Sequence, residues 1–510
     1  MAREYELSED SVVVVIGSGA GGGTLANELA QKGIDAICLE AGPRLALSDL
    51  ENDPGLMAGR LGWNDPRIGP GVWLCKTVGG TTVRWSGISP RIQPHEFKPA
   101  TTYGLLNDTT LIDWPLSFDE IAPYYVRAED RMGVTGTHGI PPSFETSNYK
   151  VLAAGGRAIG YSEITTERTA INSIARDGRP ACTQIGFCHE GCRIGAKWST
   201  LYSEIPKAEA TDHFELRTEA MAVQINHDAD GKVTGVVYVD ADGVMHEQKA
   251  RAVAVAGNVI ETTRLLLNSN SSRFPAGLGN SSDQLGRNYM RHVSTMITAV
   301  MPGEVNYHKG TRQAGIILDE QHHRPERGFA GGYIIETSGS HPEGVAGAVG
   351  GWGQRVADYV EKFSQLSGVF VTGEDPPQAD NRITLHPTER DQYGLAVPVL
   401  QYTLHPNSVT MQEHAIQQTT ALYEAIGGTD IIASRGVDLT CHNMGVARMS
   451  ALPEDGVTNA FGQVHNIDNL FISDGSVFSS SGAANPTLTI VALAIRQAEH
   501  IEARMNRGEL

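Results

Sequence analysis

The first forty residues constrain the fold more than any other part of the chain. Residues 12–16 are a continuous run of valine and isoleucine, which is typical of a strand buried on both faces of a parallel sheet. The glycine-rich segment Gly17–Gly22 follows at once, then a helical pattern through Leu29, and then a second strand pattern that ends on Glu40. This order of strand, glycine turn, helix, strand and acid is the fingerprint of a dinucleotide-binding βαβ unit.

Each glycine of the fingerprint has its own physical role. We expect Gly17 to make the tight turn, Gly19 to let the backbone approach a pyrophosphate, and Gly22 to let the helix pack on the strand. Glu40 follows Gly22 at close to the ~20-residue spacing of an acid that binds a ribose. The motif therefore predicts a dinucleotide site, but it serves NAD and FAD equally well, so the cofactor stays open at this point.

Composition and charge exclude several classes of protein. The 510 residues are 40% hydrophobic and 19% charged, which is too apolar for a disordered chain and long enough for two domains. The formal net charge of −19 repels a phosphate backbone, and no basic run offsets it, so we expect no nucleic acid partner. The apolar stretch Ile490–Ile495 is far shorter than the ~20 residues of a membrane span. We therefore expect a soluble protein.

The remainder of the chain predicts a second, inserted unit. Residues 214–256 alternate β-rich runs with turns and predict a meander, while 262–268 and 408–426 read as helices. A further strand over 469–474 precedes a helix over 487–506. Because this closing strand–loop–helix unit lies so far downstream, we expect the dinucleotide-binding domain to be discontinuous.

Taken together, these segments resemble the glucose–methanol–choline (GMC) oxidoreductase family of FAD enzymes over essentially the whole chain. The resemblance rests on Val13–Gly22 with Glu40-Ala-Gly42, Val78-Gly-Gly-Thr-Thr82, Asp113-Trp-Pro115, Ala256-Gly-Asn258 through Arg264, Cys441-His-Asn-Met-Gly445, Ser473-Asp-Gly475 and Ala484-Asn-Pro-Thr487. Within the family, a cysteine-rich loop and residues 286–288 look most like the flavoprotein subunits of bacterial sugar dehydrogenases. These are the glucose 1-dehydrogenases, the gluconate or sorbitol dehydrogenases and the glucoside 3-dehydrogenases.

The resemblance implies an α/β fold of the GMC type. It consists of a Rossmann-like FAD-binding domain and an inserted α+β substrate-binding domain built on an antiparallel sheet. The implied boundaries are 1–95, 195–295 and 436–510 for the FAD-binding domain, 96–180 and 296–435 for the substrate-binding domain, and 181–194 for a cysteine-rich iron–sulfur loop.

The resemblance also implies FAD rather than NAD as the cofactor. Gly79, Gly80 and Thr81 would lie against the flavin and the pyrophosphate, and Asp474 would bind the ribityl-phosphate region. Gly257 and Thr487 complete the implied cofactor-binding set. Residues 78–90 contain no histidine, so the histidyl–flavin bond of some relatives is not supported and we expect noncovalent FAD.

Two residues of the closing segments are the implied catalytic pair. Oxidising a carbinol requires a base that removes the hydroxyl proton while a hydride leaves the carbon. By resemblance the base is His442, because a neutral imidazole is available near pH 7. Its partner position holds Asn485, whose amide can bind the substrate oxygen but cannot act as a base.

Three of the six cysteines form a cluster, Cys182, Cys188 and Cys192. Three interpretations stay open on the residues alone: a structural disulfide with a spare thiol, a zinc site with His189 as a fourth ligand, and an iron–sulfur cluster. The resemblance to sugar dehydrogenases favours the last of these, a [3Fe-4S] cluster held by the three thiolates.

The function that the resemblance implies is a FAD-dependent dehydrogenase of a sugar or glycoside hydroxyl. Electrons would pass through the [3Fe-4S] cluster to a cytochrome c-type or other one-electron acceptor. Two alternatives stay open: an oxidase of the same fold that uses O2, and a noncatalytic flavoprotein that binds a partner. Residues 1–10 carry no secretion signal, so we expect periplasmic location only by co-export with a small partner subunit, and cytoplasmic location otherwise.

Overall fold

The structure is a computed structural model, and it describes residues 3–63, 73–104, 106–436 and 442–510. Cys441, the first residue of one of the segments that carry the resemblance, lies outside the described residues. No helix of the described part is both long enough and apolar enough to cross a membrane.

The chain forms strands and helices in mixed order. The strands are β1 (Val13–Ile16), β2 (Ala36–Leu39), β3 (Gly62–Trp63), β4 (Leu74–Cys75), β5 (Ile164–Thr166), β6 (Phe214–Arg217), β7 (Met221–His227), β8 (Val233–Val239), β9 (Met245–Lys249), β10 (Ala252–Val255), β11 (Val293–Val300), β12 (Gly315–Ile317), β13 (Tyr333–Thr337), β14 (Leu366–Gly373), β15 (Arg382–Arg390), β16 (Ala396–Gln401), β17 (Thr429–Ala433) and β18 (Leu470–Ile472). The helices are α1 (Ala20–Gln31), α2 (Pro54–Leu61), α3 (Pro99–Tyr103), α4 (Phe118–Met132), α5 (Ser147–Ala158), α6 (Glu204–Glu209), α7 (Asn258–Asn268), α8 (Pro342–Val349), α9 (Gln354–Glu361), α10 (Pro406–Glu424) and α11 (Thr487–Asn506).

A five-stranded parallel sheet forms the first layer, in the order β18-β10-β1-β2-β6. Every residue of β1, β2, β10 and β18 is buried, as expected for strands covered on both faces. Helices α1 and α11 pack side by side on this sheet, with Leu25 and Leu29 meeting Ala494 and Ile501 in one apolar core. The Rossmann-like sheet expected from the first forty residues is confirmed.

The predicted meander over residues 214–256 was wrong at both ends. Strands β6 and β10 join the parallel sheet, and only β7, β8 and β9 form the antiparallel meander. The physical reason lies in β10, whose sequence Ala-Val-Ala-Val is apolar on both faces and is buried between β1 and β18. A strand of a one-sided meander alternates apolar and polar residues instead.

A six-stranded antiparallel sheet forms the second layer, in the order β17-β11-β14-β13-β12-β5. One face carries Ile297, Tyr333 and Ile335 and is covered by α10 and α5. The opposite face carries Ile316 and Ile334, which pack against Ala483 of the segment before α11. The predicted GMC-type class, a parallel sheet combined with an antiparallel one, is confirmed, and the predicted domain boundaries stay a prediction.

Candidate active site

A cavity of about 450 Å³ opens where the strands of the parallel sheet end. Its wall contains the residues that follow β1, β2, β10 and β18, which is the edge where open α/β sheets bind ligands. The volume lies within the ~300–1,000 Å³ of small-molecule and cofactor sites. The predicted residues in this wall are Gly17, Gly19, Glu40, Gly80, Thr81, Gly257, His442, Asp474 and Thr487.

The remaining predicted cofactor residues, Gly22 and Gly79, support the wall from behind. Gly22 packs α1 against the glycine turn, because a Cβ atom there would collide with the carbonyl oxygen of Gly17. Gly79 adopts φ +92° and donates its backbone N–H to the Ser18 hydroxyl at 3.0 Å. Both glycines therefore fix the shape of the backbone that faces the cavity.

Gly17 and Gly19 adopt different conformations for different purposes. Gly17 has φ +95°, and a Cβ atom there would overlap the Ala256 carbonyl oxygen. A Cβ atom on Gly19 would meet only the Cα of Gly80, at 4.0 Å, so the two glycine-rich turns face each other across open space. This is the bare backbone that a pyrophosphate needs to approach closely.

Replacing Gly17 with alanine should remove most of the bound FAD from the purified protein. An alanine would be held in the left-handed region, at a cost of roughly 1–2 kcal/mol, and its Cβ would push into the Ala256 carbonyl that follows β10. Flavin absorbance relative to protein absorbance measures the outcome. Gly59 in α2 is the control, because a Cβ atom there meets nothing within 4 Å; a Gly17→Ala protein with as much FAD as Gly59→Ala would contradict the assignment.

Two buried acids lie at the cavity edge. Glu40 accepts hydrogen bonds from the Ser18 backbone N–H at 3.0 Å, the Ser18 hydroxyl at 2.6 Å and the Gly42 N–H at 2.9 Å. Asp474 accepts from the Ser476 N–H at 2.8 Å and the Thr262 hydroxyl at 2.6 Å. Burial raises the pKa of both carboxyl groups, and these hydrogen bonds oppose the rise. Each acid thus braces a loop while it forms part of the wall.

Two helix N-termini also point to an anionic, dinucleotide-sized ligand. Helices α1 and α11 begin at Ala20 and Thr487, both in the cavity wall, and neither has a side-chain cap. Their first backbone N–H groups carry partial positive charge that suits phosphate or another anion. With the bare glycine turns, these features fit FAD as the family resemblance implies.

His442 lies in the cavity wall and contacts a second histidine that the sequence did not single out. The Nδ1 atoms of His442 and His292 are 2.9 Å apart, and the two rings meet edge to face. His292 is almost fully buried, and its Nε2 faces the Ser481 carbonyl oxygen at 3.5 Å. The only hint in the sequence was its place four residues after the Gly286-Arg-Asn288 segment.

This pair fixes which nitrogen of His442 carries the proton. A carbonyl can only accept, so the His292 Nε2 that faces Ser481 carries hydrogen and its Nδ1 bears a lone pair. The Nδ1–H of His442 then donates to His292, which leaves the lone pair of neutral His442 on Nε2. A hydrogen bond between one ring nitrogen and a neighbouring residue determines which nitrogen of a catalytic histidine carries the proton. His442 is therefore arranged as a base at Nε2.

The pKa values favour neutral imidazoles at this site. Burial, with the nearby His292 and Arg291 side chains, holds the pKa of His442 well below its usual range. Burial also lowers the pKa of His292 to about 4. Both rings are therefore uncharged at neutral pH, as the hydrogen bond between them requires.

The rate of flavin reduction should consequently stay constant through the ordinary histidine range near pH ~6.5. A base with a depressed pKa keeps its lone pair at lower pH, so the rate falls only when the pH drops through that depressed value. Anaerobic stopped-flow measurements between pH 8 and the acid limit of stability would test this. A half-maximal rate at or above pH ~6.5 would contradict the described environment of His442.

Asn485 lies outside the cavity wall but on the segment that joins the two layers. It is buried, and its Oδ1 has no hydrogen-bond partner among the described residues. Its amide interacts with the carboxyl group of Glu336 on β13. The segment also contains Ser481, which contacts His292. His442 and Asn485 are thus linked through one short stretch of chain, and their pairing in catalysis stays a prediction.

The three clustered cysteines are free and lie on a tightly curled loop. Each sulfur receives a backbone N–H: Cys182 from Gln184 at 3.4 Å, Cys192 from Lys197 at 3.3 Å, and Cys188 from Arg312. Burial raises the pKa of Cys182 to about 11 and raises that of Cys188, against which the nearby Lys197 acts. N–H donors around three sulfurs fit thiolate ligands, which a bound metal centre would keep ionised.

The described loop shows neither a disulfide nor a compact group of zinc ligands at these cysteines. All three thiols are unpaired. Among the described residues, the group of potential ligands whose atoms lie within 4.8 Å of one another is His95, Glu96 and Glu374, and it contains no cysteine. One zinc ion holds its ligand atoms close together. His189, considered as a fourth ligand, instead hydrogen-bonds the Ser86 hydroxyl through its Nε2.

A buried lysine connects the cysteine loop to the cavity wall. The ammonium of Lys197 donates to the carbonyl oxygens of Val83 at 3.0 Å, Trp85 at 2.5 Å and Cys188 at 2.5 Å. Trp85 itself lines the cavity. The side chain of Lys197 therefore holds the backbone of the cysteine loop to the backbone at Trp85, which lines the cavity.

Comparisons with known proteins agree with this architecture. The family model described as GMC oxidoreductase matches residues 72–294 and 377–494. The chain is 30% identical to 2-methyl-1,2-propanediol dehydrogenase of Mycolicibacterium austroafricanum, covering 98% of this chain and 96% of that protein. It is also 30% identical to paromamine 6'-oxidase of Streptomyces fradiae (96% and 91%), and 28% identical to the fructose dehydrogenase large subunit of Gluconobacter japonicus (97% and 98%).

A solved structure resembles the fold over its full length. Formate oxidase from Aspergillus oryzae superposes with a TM-score of 0.71 at 14% sequence identity, covering 98% of this chain and 100% of that one. At this identity the likeness concerns the fold alone.

Proposed function

The chain belongs to the GMC oxidoreductase family, and we propose that it is a FAD-dependent dehydrogenase that oxidises a hydroxyl group of a sugar or glycoside. The observation that carries the proposal is the arrangement of His442, whose Nε2 bears the lone pair because its Nδ1–H donates to His292. That nitrogen belongs to a side chain in the cavity wall. The names of relatives that act on a diol and on fructose support the substrate class.

Each predicted catalytic or cofactor-binding residue has a defined task in this proposal. His442 takes the hydroxyl proton at Nε2, and the amide of Asn485 holds the substrate oxygen. Gly17, Gly19, Gly80 and the start of α11 would bind FAD noncovalently, together with the other predicted cofactor residues. FAD bound in the cavity supplies the acceptor for the hydride.

We further propose that Cys182, Cys188 and Cys192 hold a [3Fe-4S] cluster. The N–H donors to the three sulfurs and the Lys197 link to the cavity wall support it. Such a cluster supplies a one-electron carrier. The electron acceptor would then be a cytochrome c-type protein or another one-electron acceptor.

An oxidase that uses O2 is the second candidate, since one relative carries the name oxidase.

The first proposal also includes a protein partner for this chain. A relative is named a large subunit, which supports a small partner subunit for this chain as well. We propose that such a subunit accompanies the protein to the periplasm if it acts there.

A substrate screen tests the proposed function. Holoenzyme mixed without oxygen with glucose, gluconate, sorbitol and several glucosides should lose its flavin absorbance with at least one of them. NMR of the product should then show a carbonyl at the oxidised carbon. Failure of every sugar and glycoside to bleach the flavin, with short-chain diols bleaching it rapidly, would contradict the sugar assignment.

His292 should act as a positioning residue for His442. His292→Leu removes the acceptor of the His442 Nδ1–H and should slow flavin reduction about 10–100-fold, the effect of losing a buried hydrogen bond. His292→Gln should recover most of that loss, because its Oε1 can accept from His442 while its amide donates to Ser481. Equal rates for the two variants, each with full FAD content, would contradict this role.

A further inference from the structure

A two-stranded hairpin, formed by β15 and β16, lies along one side of the cavity. Its tip, residues 391–395, connects the end of β15 to the start of β16. The tip residues that belong to the cavity wall are Asp391, Gln392, Tyr393 and Leu395. None of the cofactor-binding residues predicted from the sequence lies in this tip.

The base of the hairpin is held differently from its tip. Ile383 of β15 is buried in an apolar cluster with Val259 of α7. The β15–β16 ladder is regular over residues 382–385 and is then interrupted before Arg390 pairs with Ala396. Such an interruption bends a strand and breaks its hydrogen-bond ladder. Apolar packing therefore fixes the base, and the interruption separates the base from the tip.

One arginine of α7 holds the tip against the rest of the molecule. Arg264 donates from Nη2 to Asp391 Oδ2 at 2.6 Å and from Nε to the Ala396 carbonyl oxygen at 2.9 Å. The side chains of Arg264 and Asp391 are 5% and 16% exposed, so this ion pair is shielded from water. Asn268 adds two longer contacts with the Ala396 backbone, at 3.3 and 3.2 Å. The strongest contact of the tip is thus the ion pair.

The same arginine has a second acidic neighbour. Glu261 of α7 lies 3.3 Å from the Arg264 guanidinium. A buried ion is strongly destabilising when its partner is removed and no other charge compensates it. Because Glu261 stays beside Arg264, Asp391 can separate from the arginine without leaving an uncompensated buried charge. The ion pair is therefore suited to opening and closing.

The charges around the tip indicate which end of FAD it covers. The Lys76 ammonium lies 5.8 Å from the centre of the Tyr393 ring. Burial raises the pKa of Glu40 and the nearby Lys76 charge opposes the rise, so Lys76 lies close to both the tip and the acid predicted to bind a ribose. FAD contains one ribose, which belongs to its adenosine half. The tip therefore faces the adenosine end of the cavity.

We propose that the hairpin tip is a strap that closes over the adenosine end of FAD, with the Arg264–Asp391 ion pair as its latch. The hairpin bends at the interruption of its ladder when FAD enters or leaves. Closure covers the adenosine and slows the release of the cofactor. The proposal rests on the FAD binding of the proposed function and is independent of the substrate that is oxidised.

Replacing Asp391 with asparagine should weaken the latch and leave the turn intact. Asn keeps the Oδ1 that accepts from the Tyr393 and Leu395 backbone N–H groups, at 2.8 and 3.0 Å, but it loses the charge that binds Arg264. Protein reconstituted with labelled FAD is mixed with excess unlabelled FAD, and the loss of label is followed. We expect FAD to dissociate about 10–100-fold faster than from the wild type, the value of a hydrogen bond between charged groups.

Asp228→Asn is the matched control. Asp228 accepts from the Asp230 and Lys232 backbone N–H groups, both at 2.9 Å, at the tip of the β7–β8 hairpin and away from the cavity wall. This variant should release FAD at the wild-type rate. Arg264→Gln should also speed the release, and adding Asp391→Asn to it should change the rate little further, because the latch is already lost.

Proteolysis of the wild-type protein reports the opening of the strap without any variant. Arg390 is exposed beside the tip, and trypsin should cut after it several-fold faster in FAD-free protein than in holoenzyme, relative to cutting after the exposed Lys232. Equal FAD release from Asp391→Asn and Asp228→Asn, or equal relative cutting with and without FAD, would overturn the strap. Either result would leave sugar oxidation untouched, since that depends on flavin reduction by substrate.

Discussion

Replacing His442 with alanine should slow the reduction of bound flavin by substrate about 10²–10⁴-fold, the usual contribution of a positioned general base. The loss follows from the tautomer, since His442 Nε2 bears the lone pair that the His292 contact imposes. FAD should remain bound, because the glycine turns and the α11 N-terminus are unchanged. Anaerobic stopped-flow spectroscopy at saturating substrate measures the rate.

A matched control separates this effect from the loss of any histidine. His246→Ala removes a partly buried ring that contacts Asp240 in the β7–β9 meander, away from the cavity wall. It should reduce flavin at the wild-type rate. If His442→Ala were as fast as His246→Ala, His442 would not be the base.

Changing Cys188 to serine should abolish turnover with a cytochrome c-type acceptor while substrate still reduces the flavin. A neutral hydroxyl replaces a soft thiolate ligand, so the cluster should be lost or damaged. Anaerobically purified wild-type protein should contain about three irons per FAD, and the variant much less. Iron analysis and cytochrome reduction measure the two effects separately.

The control for this variant is Cys38→Ala, which changes a buried cysteine in β2 with no place in the cluster. It should keep its iron and its activity with the cytochrome. Iron-free wild-type protein with full activity toward the same acceptor would mean that Cys182, Cys188 and Cys192 have no redox role.

Much of the fold could be predicted because it is encoded locally. The run at β1, the glycine turn and the helix Thr487–Asn506 each depend on residues close together in sequence, and all three form as expected. The prediction failed at the two ends of the meander because β6 pairs with β2 and β10 pairs with β18, and both partners lie far away along the chain.

The site was predictable only where motifs mark it. His442 and Asn485 lie in segments shared with the family, whereas His292 lies 150 residues from His442 and meets it only in the folded chain. Glu167 and Glu336 are likewise ordinary acids in sequence. Only the strand register, and the burial that follows from it, brings them to one buried face of the antiparallel sheet.

The most direct test measures how the flavin is reoxidised after the sugar substrate has reduced the enzyme without oxygen. The reduced holoenzyme is mixed in a stopped-flow instrument either with air-saturated buffer or with a cytochrome c-type acceptor, and the return of flavin absorbance is followed. If the enzyme is a dehydrogenase, the flavin absorbance should return rapidly with the cytochrome and slowly with oxygen. Rapid return with oxygen and none with the cytochrome would contradict it and identify an oxidase.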